Sequence, residues 1–334
     1  MNTIIIFVIE ALIAFFVAFF FLRKYISLAK DRGYTGKDVH KINKPDIAEM
    51  GGFAVIFGFL FGIGFAFPFL GATEHYLMLA AILTVVLTAF IGIFDDLFAL
   101  KPINKVILLF ICAIPLVITR IGNTSISLPV IGSINLGIFY TIIFVPLFVN
   151  VFANMTNFLA GYNGLEAGLG IITIFYFIIA AILLKNHFII VLLVPFLFAL
   201  IAFYIYNKYP AKVFPGDVTT LSIGTIIASA AIIGNAESIA ILLCSLYLIN
   251  FVLYFIFIFF VKPFTKQKET HISNVNPKRI LERQYFIGTK RMQWQKMYFL
   301  FEHWFYPCTE KKLVAIFLLI QFIIDTLVLT IWFI

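Results

Sequence analysis

Apolar runs of about 20 residues recur along the chain, and short polar segments separate them. A helix rises about 1.5 Å per residue, so a run of this length matches the hydrocarbon core of a bilayer. The pattern therefore predicts an all-α polytopic membrane protein with about ten transmembrane helices. The predicted spans are 4–22, 51–70, 77–94, 105–119, 138–157, 168–184, 187–206, 218–234, 238–261 and 313–334.

The basic residues are concentrated in alternate loops. Of the 24 lysines and arginines, 22 lie in loops that follow odd-numbered spans, and only Arg120 and Lys185 lie elsewhere. Basic loops tend to stay on the cytoplasmic side of a membrane. We therefore expect an integral, multi-pass protein of the cell membrane with these loops in the cytoplasm and both termini outside.

Composition agrees with a chain embedded in lipid. Hydrophobic residues make up 63% and charged residues 12% of the 334 residues, whereas soluble domains are about 25% charged. No polar insert is long enough to form a second core, so we expect one integral membrane domain over residues 1–334. The longest insert is the predicted cytoplasmic loop 262–312. Residues 4–22 are expected to span the membrane rather than to be cleaved, since no basic segment precedes them.

Two adjacent carboxylates, Asp95 and Asp96, follow the third apolar run. The C-terminus of a helix carries partial negative charge and disfavours carboxylates, and two successive carboxylates also repel each other. Ionised carboxylates next to lipid are costly unless they are compensated. The sequence therefore predicts a compensating positive group, either Lys105 or a divalent cation.

Three further polar segments lie on the same predicted face. They are KPDIAEMGG at 44–52, NMTNFLAGYNGLEAG at 154–168 and NKYPAKVFPGDVTT at 207–220. Taken singly, their Gly, Pro, Asn and Asp residues are also typical of turns and helix caps. Their gathering on one face, together with the aspartate pair, favours a shared site.

The side chains on this face are oxygen donors without a Cys or His cluster. Such donors suit a hard cation such as Mg²⁺, which shares its coordination with substrate phosphates. The candidate donors are Asp95, Asp96, Asp217 and the amide of Asn157 or Asn163. Lys105 and Lys212 would bind the phosphate groups of the ligand. The set predicts a site for a phosphate-bearing ligand.

Three stretches, GIFDDLFALKPINK, NFLAGYNGLEAG and YPAKVFPGD, resemble the polyprenyl-phosphate N-acetylhexosamine-1-phosphate transferases of glycosyltransferase family 4. The similarity runs from the first predicted cytoplasmic loop to span nine. The forms NGLEAG and YPxxVFxGD, with GNTSISLP at 122–129, are more similar to the eukaryotic and archaeal UDP-GlcNAc:dolichyl-phosphate enzymes than to the bacterial muramoyl-pentapeptide translocases.

This resemblance implies an enzyme and a reaction. The enzyme would transfer GlcNAc-1-phosphate from UDP-GlcNAc to a polyprenyl or dolichyl phosphate and release UMP. This step opens lipid-linked glycan assembly, for N-glycosylation or a cell-surface glycan. The implied cofactor is Mg²⁺, with Mn²⁺ as the alternative, and the implied surroundings are membrane lipid without nucleic acid. The active site would face the cytoplasm, and the relatives suggest a homodimer.

The resemblance also implies roles for matching residues. Asp95, Asp96 and Lys105 would be catalytic, and Asn157 and Asp217 would hold the metal. The expected substrate-binding residues are Glu49, Asn163, Glu166, Lys212, His271 and Lys268.

Two of these roles are more specific within the family. Asn163 matches a residue near the uracil, and Glu49 matches a carboxylate near the lipid phosphate. His271 and Lys268 lie in TKQKETHISN, which lacks the arginine-flanked histidine of the eukaryotic enzyme.

The sequence leaves a few other functions open. The same reaction could use another UDP-N-acetylhexosamine or a muramoyl-like precursor. An ion-coupled transporter would place its carboxylates near the bilayer midplane, often within repeats, whereas these lie at span ends. A purely structural protein leaves Asp95 and Asp96 uncompensated. No role is assigned to His40, because no partner lies at a motif spacing from it.

Overall fold

The computed structural model describes residues 3–119, 125–128, 132–256, 274–275, 280–282, 305 and 308–334. Within this part of the chain, nine helices are long and apolar enough to cross a membrane, and one bent helix pair raises the number to ten. The polytopic, all-α architecture predicted from the apolar runs is therefore confirmed.

Helices form nearly the whole of the described bundle. They are α1 (Thr3–Asp31), α2 (Gly52–Ala66), α3 (Ala72–Phe98), α4 (Pro102–Cys112), α5 (Ile114–Thr119), α6 (Val145–Phe158), α7 (Leu165–Leu183), α8 (His187–Asn207), α9 (Gly216–Gly234), α10 (Glu237–Leu243), α11 (Ser245–Ile256) and α12 (Glu310–Phe333). A 3₁₀ turn, Phe67–Phe69, continues α2, and a π-helical turn, Tyr140–Phe144, precedes α6.

Several helices extend beyond the apolar runs that predicted them. Helix α1 continues to Asp31, and α3 continues to Phe98. The Asp95–Asp96 pair therefore lies within the last turn of α3 rather than in the loop beyond it. A left-handed residue, Ala99 at φ 48°, ends this helix.

The predicted ninth span, 238–261, is not a straight helix. Its described part consists of α10 and α11, which meet at Cys244 with a bend of 73°. A break frees backbone carbonyls, and in lipid these need a partner inside the protein. The Gln321 amide of α12 supplies one, because its Nε2 donates to Leu243 O at 2.8 Å. It also donates to Asp325 Oδ1 at 2.8 Å.

Three small antiparallel sheets accompany the helices. Strands β1 (Thr35–Lys37) and β2 (Asp46–Ala48) pair with Gly36 opposite Ile47. The others are β3 (Ser125–Leu128) with β4 (Gly132–Asn135), and β5 (Asn274–Val275) with β6 (Ile280–Glu282) and β7 (Cys308–Thr309).

The β1–β2 hairpin is tied to the segment before α9. Phe214 N donates to Ala48 O at 2.7 Å, and Gly51 N donates to Phe214 O at 2.9 Å. These bonds hold the end of β2 and the segment that follows it close to the start of α9.

Helix α9 is the centre of the bundle. Every residue from Val218 to Ile233 is buried, and α3 and α6 pack along it. Gly92 of α3 makes this packing possible, since a Cβ there would lie 2.6 Å from Val218 N. The close approach brings the last turn of α3 onto the first turn of α9, and so brings Asp95 and Asp96 to Asp217.

Candidate active site

Lys105 is the centre of a buried polar cluster built from four helices. Its Nζ donates to Asp95 Oδ2 at 2.8 Å and to Asn157 Oδ1 at 3.2 Å. It also donates to Asp217 Oδ2. Helices α3, α4, α6 and α9 each contribute one of these side chains. The structure therefore brings to Lys105 three residues that lie 10 to 112 positions from it in sequence.

The charges within this cluster do not cancel. Two carboxylates, Asp95 and Asp217, face one ammonium group. Lys105 is only 8% exposed, so water compensates little of this charge. The cluster keeps a net negative charge that a further cation would reduce.

The amide of Asn157 is oriented by two hydrogen bonds. Its Nδ2 donates to Asp217 Oδ1 at 2.8 Å and to Thr220 Oγ1 at 2.8 Å. The amide oxygen is thereby directed towards the Lys105 ammonium. Three oxygen atoms, from Asp95, Asn157 and Asp217, converge on one positive charge.

The neighbouring carboxylates Asp95 and Asp96 have different partners. Asp95 accepts from Lys105 and, through Oδ1, from Leu100 N at 2.8 Å. Asp96 accepts from Asp217 N, at 3.0 Å on one oxygen and 3.1 Å on the other. The N-terminus of a helix carries partial positive charge. The ammonium of Lys105 thus pairs with Asp95, and the first turn of α9 donates to Asp96.

The donor set at Lys105 fits a hard divalent cation. Its oxygens are two carboxylates and one amide, the ligands that Mg²⁺ prefers. They already surround a cationic group, the Lys105 ammonium, in an orientation that directs their oxygens inward. Asp217 and Asn157, the expected metal ligands, are hydrogen-bonded to each other at 2.8 Å. Their site is therefore able to hold the metal that the resemblance implies.

A cleft of about 500 Å³ opens beside this cluster. Four of the predicted site residues line it, namely Asn157, Asn163, Glu166 and Asp217. Lys37, Asp38, His40, Tyr162, Thr220 and Tyr254 also belong to its walls. Its volume is in the range of small-molecule sites. Of the polar cluster, Asn157 and Asp217 line the cleft, whereas Lys105 and Asp95 are not among its lining residues.

Glu166 and Asn163 shape the loop between α6 and α7. Glu166 Oε1 accepts from Gly161 N at 2.5 Å, and Asn163 Nδ2 donates to Asp38 Oδ2 at 3.0 Å. Both residues are 4% exposed. Gly161 has a φ of +111°, which favours glycine there. Two side chains that the sequence predicted to bind substrate therefore also fix the conformation of this loop.

Glu49 lies near Asp96. Its carboxylate acts electrostatically on Asp96, and burial raises the pKa of Glu49 above its usual range. Its backbone is anchored, since Tyr25 Oη donates to Glu49 O at 2.8 Å. It is close to Asp96 but is not among the residues that line the cleft.

One further predicted residue, Lys212, is not among the residues that line the cleft. Lys212, between α8 and α9, has an exposed side chain, and its backbone N donates to Tyr206 O at 2.8 Å. His271 and Lys268 lie outside the residues that the structure describes.

The structure adds four residues that the sequence did not assign to the site. They are Asp38, His40, Lys41 and Glu310, which meet beside the cleft. The ring of His40 stacks on Tyr162, with centroids 4.7 Å apart. The charged run from Lys37 to Lys41 is a signal within the first polar loop. Glu310 carries no such signal, because only the fold brings the start of α12 to this loop.

Known proteins are similar to this chain over most of its length. Residues 78–235, which contain the cluster from Asp95 to Asp217, match the family described as glycosyl transferase family 4. A Saccharolobus solfataricus protein is 35% identical over 246 residues, covering 72% of this chain and 76% of its own. It is provisionally named a UDP-N-acetylglucosamine–dolichyl-phosphate N-acetylglucosaminephosphotransferase.

Two further relatives widen the comparison. The Saccharomyces cerevisiae UDP-N-acetylglucosamine–dolichyl-phosphate N-acetylglucosaminephosphotransferase is 31% identical, over 52% of this chain and 43% of its own. The phospho-N-acetylmuramoyl-pentapeptide-transferase of Dictyoglomus turgidum is 31% identical, over 75% of this chain and 82% of its own. The chain therefore belongs to glycosyl transferase family 4, the family that its motifs resemble.

Proposed function

We propose that this chain transfers GlcNAc-1-phosphate from UDP-GlcNAc to a polyprenyl phosphate of the dolichol type, and that UMP leaves. One observation carries the proposal. Asn157 and Asp217, two residues that contact Lys105, line a cleft whose volume is in the range of small-molecule sites, at one end of a membrane bundle. The names of the archaeal and yeast relatives support the same reaction.

The reaction needs no nucleophile from the protein. An oxygen of the lipid phosphate attacks the β-phosphorus of UDP-GlcNAc, and the bond from that phosphorus to the bridging oxygen breaks. UMP leaves with the electron pair. The lipid phosphate is already largely ionised at neutral pH, since the second pKa of a phosphomonoester is about 6. Catalysis is then mainly positioning and charge stabilisation.

The residues of the cluster divide this work. The ammonium of Lys105 stabilises negative charge on the diphosphate. Asp95 holds Lys105 in place through the 2.8 Å ion pair. Asp96 holds the first turn of α9, and with it Asp217, at the floor of the cleft.

Asn157 and Asp217 would hold the Mg²⁺ ion, or Mn²⁺ in its place. When bound, the ion would neutralise charge on the phosphates of the sugar nucleotide. Lys105 would keep Asp95 as its partner through the 2.8 Å ion pair.

The location of the acceptor explains the membrane bundle. Its phosphate would lie at the surface while its hydrocarbon chain stays in lipid. The bias of basic residues supports a cytoplasmic cleft with both termini outside. A homodimer, which the family suggests, stays a prediction that cross-linking in membranes would test.

A membrane assay tests the function. Membranes that carry the chain are incubated with tritiated UDP-GlcNAc, polyprenyl phosphate and Mg²⁺, and lipid-linked label and UMP are measured. We expect both products from wild type, loss of both from Asp217→Asn, and no loss from Asp31→Asn at the exposed end of α1. Absence of both products from wild type would rule the proposal out.

The same assay separates the main alternative. The Dictyoglomus relative acts, by its name, on a muramoyl-pentapeptide substrate. Membranes are therefore also given UDP-MurNAc-pentapeptide at equal concentration. Preferred transfer from that donor would replace GlcNAc as the proposed sugar.

A further inference from the structure

A second buried polar network lies beside the cleft and joins three distant segments. Glu310, the first residue of α12, accepts from Asn163 N at 2.8 Å and is ion-paired with Lys41. Lys41 also pairs with Asp38 at 3.2 Å. Asp38 accepts from Asn163 Nδ2 at 3.0 Å. The four residues form a closed ring of contacts.

The ring is protected from water. Asp38, Asn163 and Glu310 are each 4% exposed. Buried polar networks in which each member has partners are rigid, and removal of one member leaves the others costly to bury. The Lys41 ammonium is further enclosed, because it lies 4.3 Å from the centre of the Tyr209 ring.

Three residues at this ring carry groups that can ligate a metal ion. Asp38, His40 and Glu310 each offer a ligand atom, and these atoms lie within 4.8 Å of one another. However, all four carboxylate oxygens of Asp38 and Glu310 already have donors, namely the backbone N of His40, the backbone N and side-chain amide of Asn163, and the ammonium of Lys41. A metal ion would have to displace a buried ion pair. The contacts therefore favour a mechanical role over a second metal site.

The ring joins residues that line the cleft to residues that do not. Asp38, His40 and Asn163 line the cleft, whereas Glu310 and Lys41 line only the groove behind it. Glu310 fixes Asn163 through the backbone, and Lys41 links Glu310 to Asp38. The start of α12 thereby sets the position of a cleft wall to which it contributes no surface.

We infer that Glu310 is a positioning residue that holds the Asp38–Asn163 wall of the cleft in the shape that binds the nucleotide. The inference rests on the proposed function for the identity of the ligand, a uridine nucleotide. The described contacts of Glu310 are with Asn163 and Lys41 rather than with the Lys105 cluster. Substitution of Glu310 should therefore affect nucleotide binding more than the chemical step.

The test compares Glu310→Ala, Glu310→Gln and wild type, purified in detergent. UMP binding is measured by calorimetry, and KM and kcat are measured for UDP-GlcNAc and polyprenyl phosphate. We expect Glu310→Ala to raise the Kd of UMP and the KM of UDP-GlcNAc about tenfold, with kcat within about twofold. The KM of polyprenyl phosphate should not change.

The milder variant separates positioning from folding. Glu310→Gln keeps an oxygen for Asn163 N but loses the ion pair with Lys41, so we expect a smaller rise, about threefold. This variant carries the test if Glu310→Ala does not fold. Asp31→Asn, exposed at the end of α1, is the control and should behave as wild type.

The outcomes are distinguishable from failure of the proposed function. Equal Kd for UMP in wild type and both Glu310 variants would overturn the positioning role, as would a lower kcat at unchanged KM. A wild-type protein that binds UMP but transfers no sugar phosphate would overturn the proposed reaction alone. In that case a weaker UMP affinity in Glu310→Ala still supports the positioning role.

Discussion

Asp96 receives the backbone N–H of Asp217 on both oxygens of its carboxylate, at 3.0 and 3.1 Å, across 121 residues of sequence. Its neighbour Asp95 instead pairs with Lys105 at 2.8 Å. Two adjacent, chemically identical side chains therefore do different work. One anchors the first turn of α9, and the other holds the central ammonium.

This division predicts different consequences for the two aspartates. Asp96→Ala removes the acceptor at the start of α9, which should lower stability by about 1 kcal/mol, as for other lost helix caps. Asp95→Asn should leave the melting temperature in detergent unchanged but reduce transfer strongly, since Lys105 loses an ionised partner. Thermal unfolding and the transfer assay measure the two effects. Equal melting temperatures for wild type and Asp96→Ala would contradict the anchoring role.

Metal affinity should depend on Asn157 and Asp217. Asp217→Asn or Asn157→Ala should raise the Mn²⁺ concentration for half-saturation by about tenfold or more, because each removes an expected ligand. Electron paramagnetic resonance of Mn²⁺ with purified protein measures this without turnover. Asp31→Asn is the control. Unchanged Mn²⁺ binding in both variants would remove these residues from the metal site.

Close packing of α3 on α9 should be sensitive to one methyl group. Gly92→Ala places a Cβ 2.6 Å from Val218 N, so the helices must separate, at a cost of about 1–3 kcal/mol. Gly64→Ala in α2 is the matched control, since a Cβ there meets nothing within 4 Å. We expect only Gly92→Ala to lower the melting temperature and the transfer rate. Equal melting temperatures for the two variants would show that close contact at Gly92 is not needed.

The bend between α10 and α11 should depend on Gln321. Gln321→Leu leaves Leu243 O and Asp325 Oδ1 without the amide donor that each now has. The expected loss of stability is about 1–3 kcal/mol, measured by thermal unfolding in detergent. Thr330→Val, exposed on the same helix, should melt as wild type does. A stable Gln321→Leu protein would show that the bend needs no partner from α12.

Much of the architecture could be predicted from the sequence because lipid imposes a simple rule. A helix must be apolar for about 20 residues to cross the bilayer, and each described span follows such a run. The bend at Cys244 could not be predicted in this way. Its residues are as apolar as those of a straight span, and the stabilising amide comes from another helix.

The candidate site could also be predicted only in part from the sequence. The motifs around Asp95, Asn157 and Asp217 identified the residue types and their family, and the fold brings these residues to one ammonium. The partners of Asp95 and Asp96 could not be predicted, because successive residues on a helix point about 100° apart and only the packing of α3 on α9 decides what each meets. Glu310 was missed for a similar reason, since its contact with Asn163 joins residues 147 positions apart.

By itself, the sequence determined the environment, the number of spans and the chemistry of the polar residues, because local hydropathy and residue type carry that information. Only the tertiary structure decided which carboxylate anchors α9, which one holds Lys105, and which distant side chain supports the wall of the cleft. These choices depend on distances between helices, and such distances are set by packing at positions such as Gly92 rather than by any pattern along the chain.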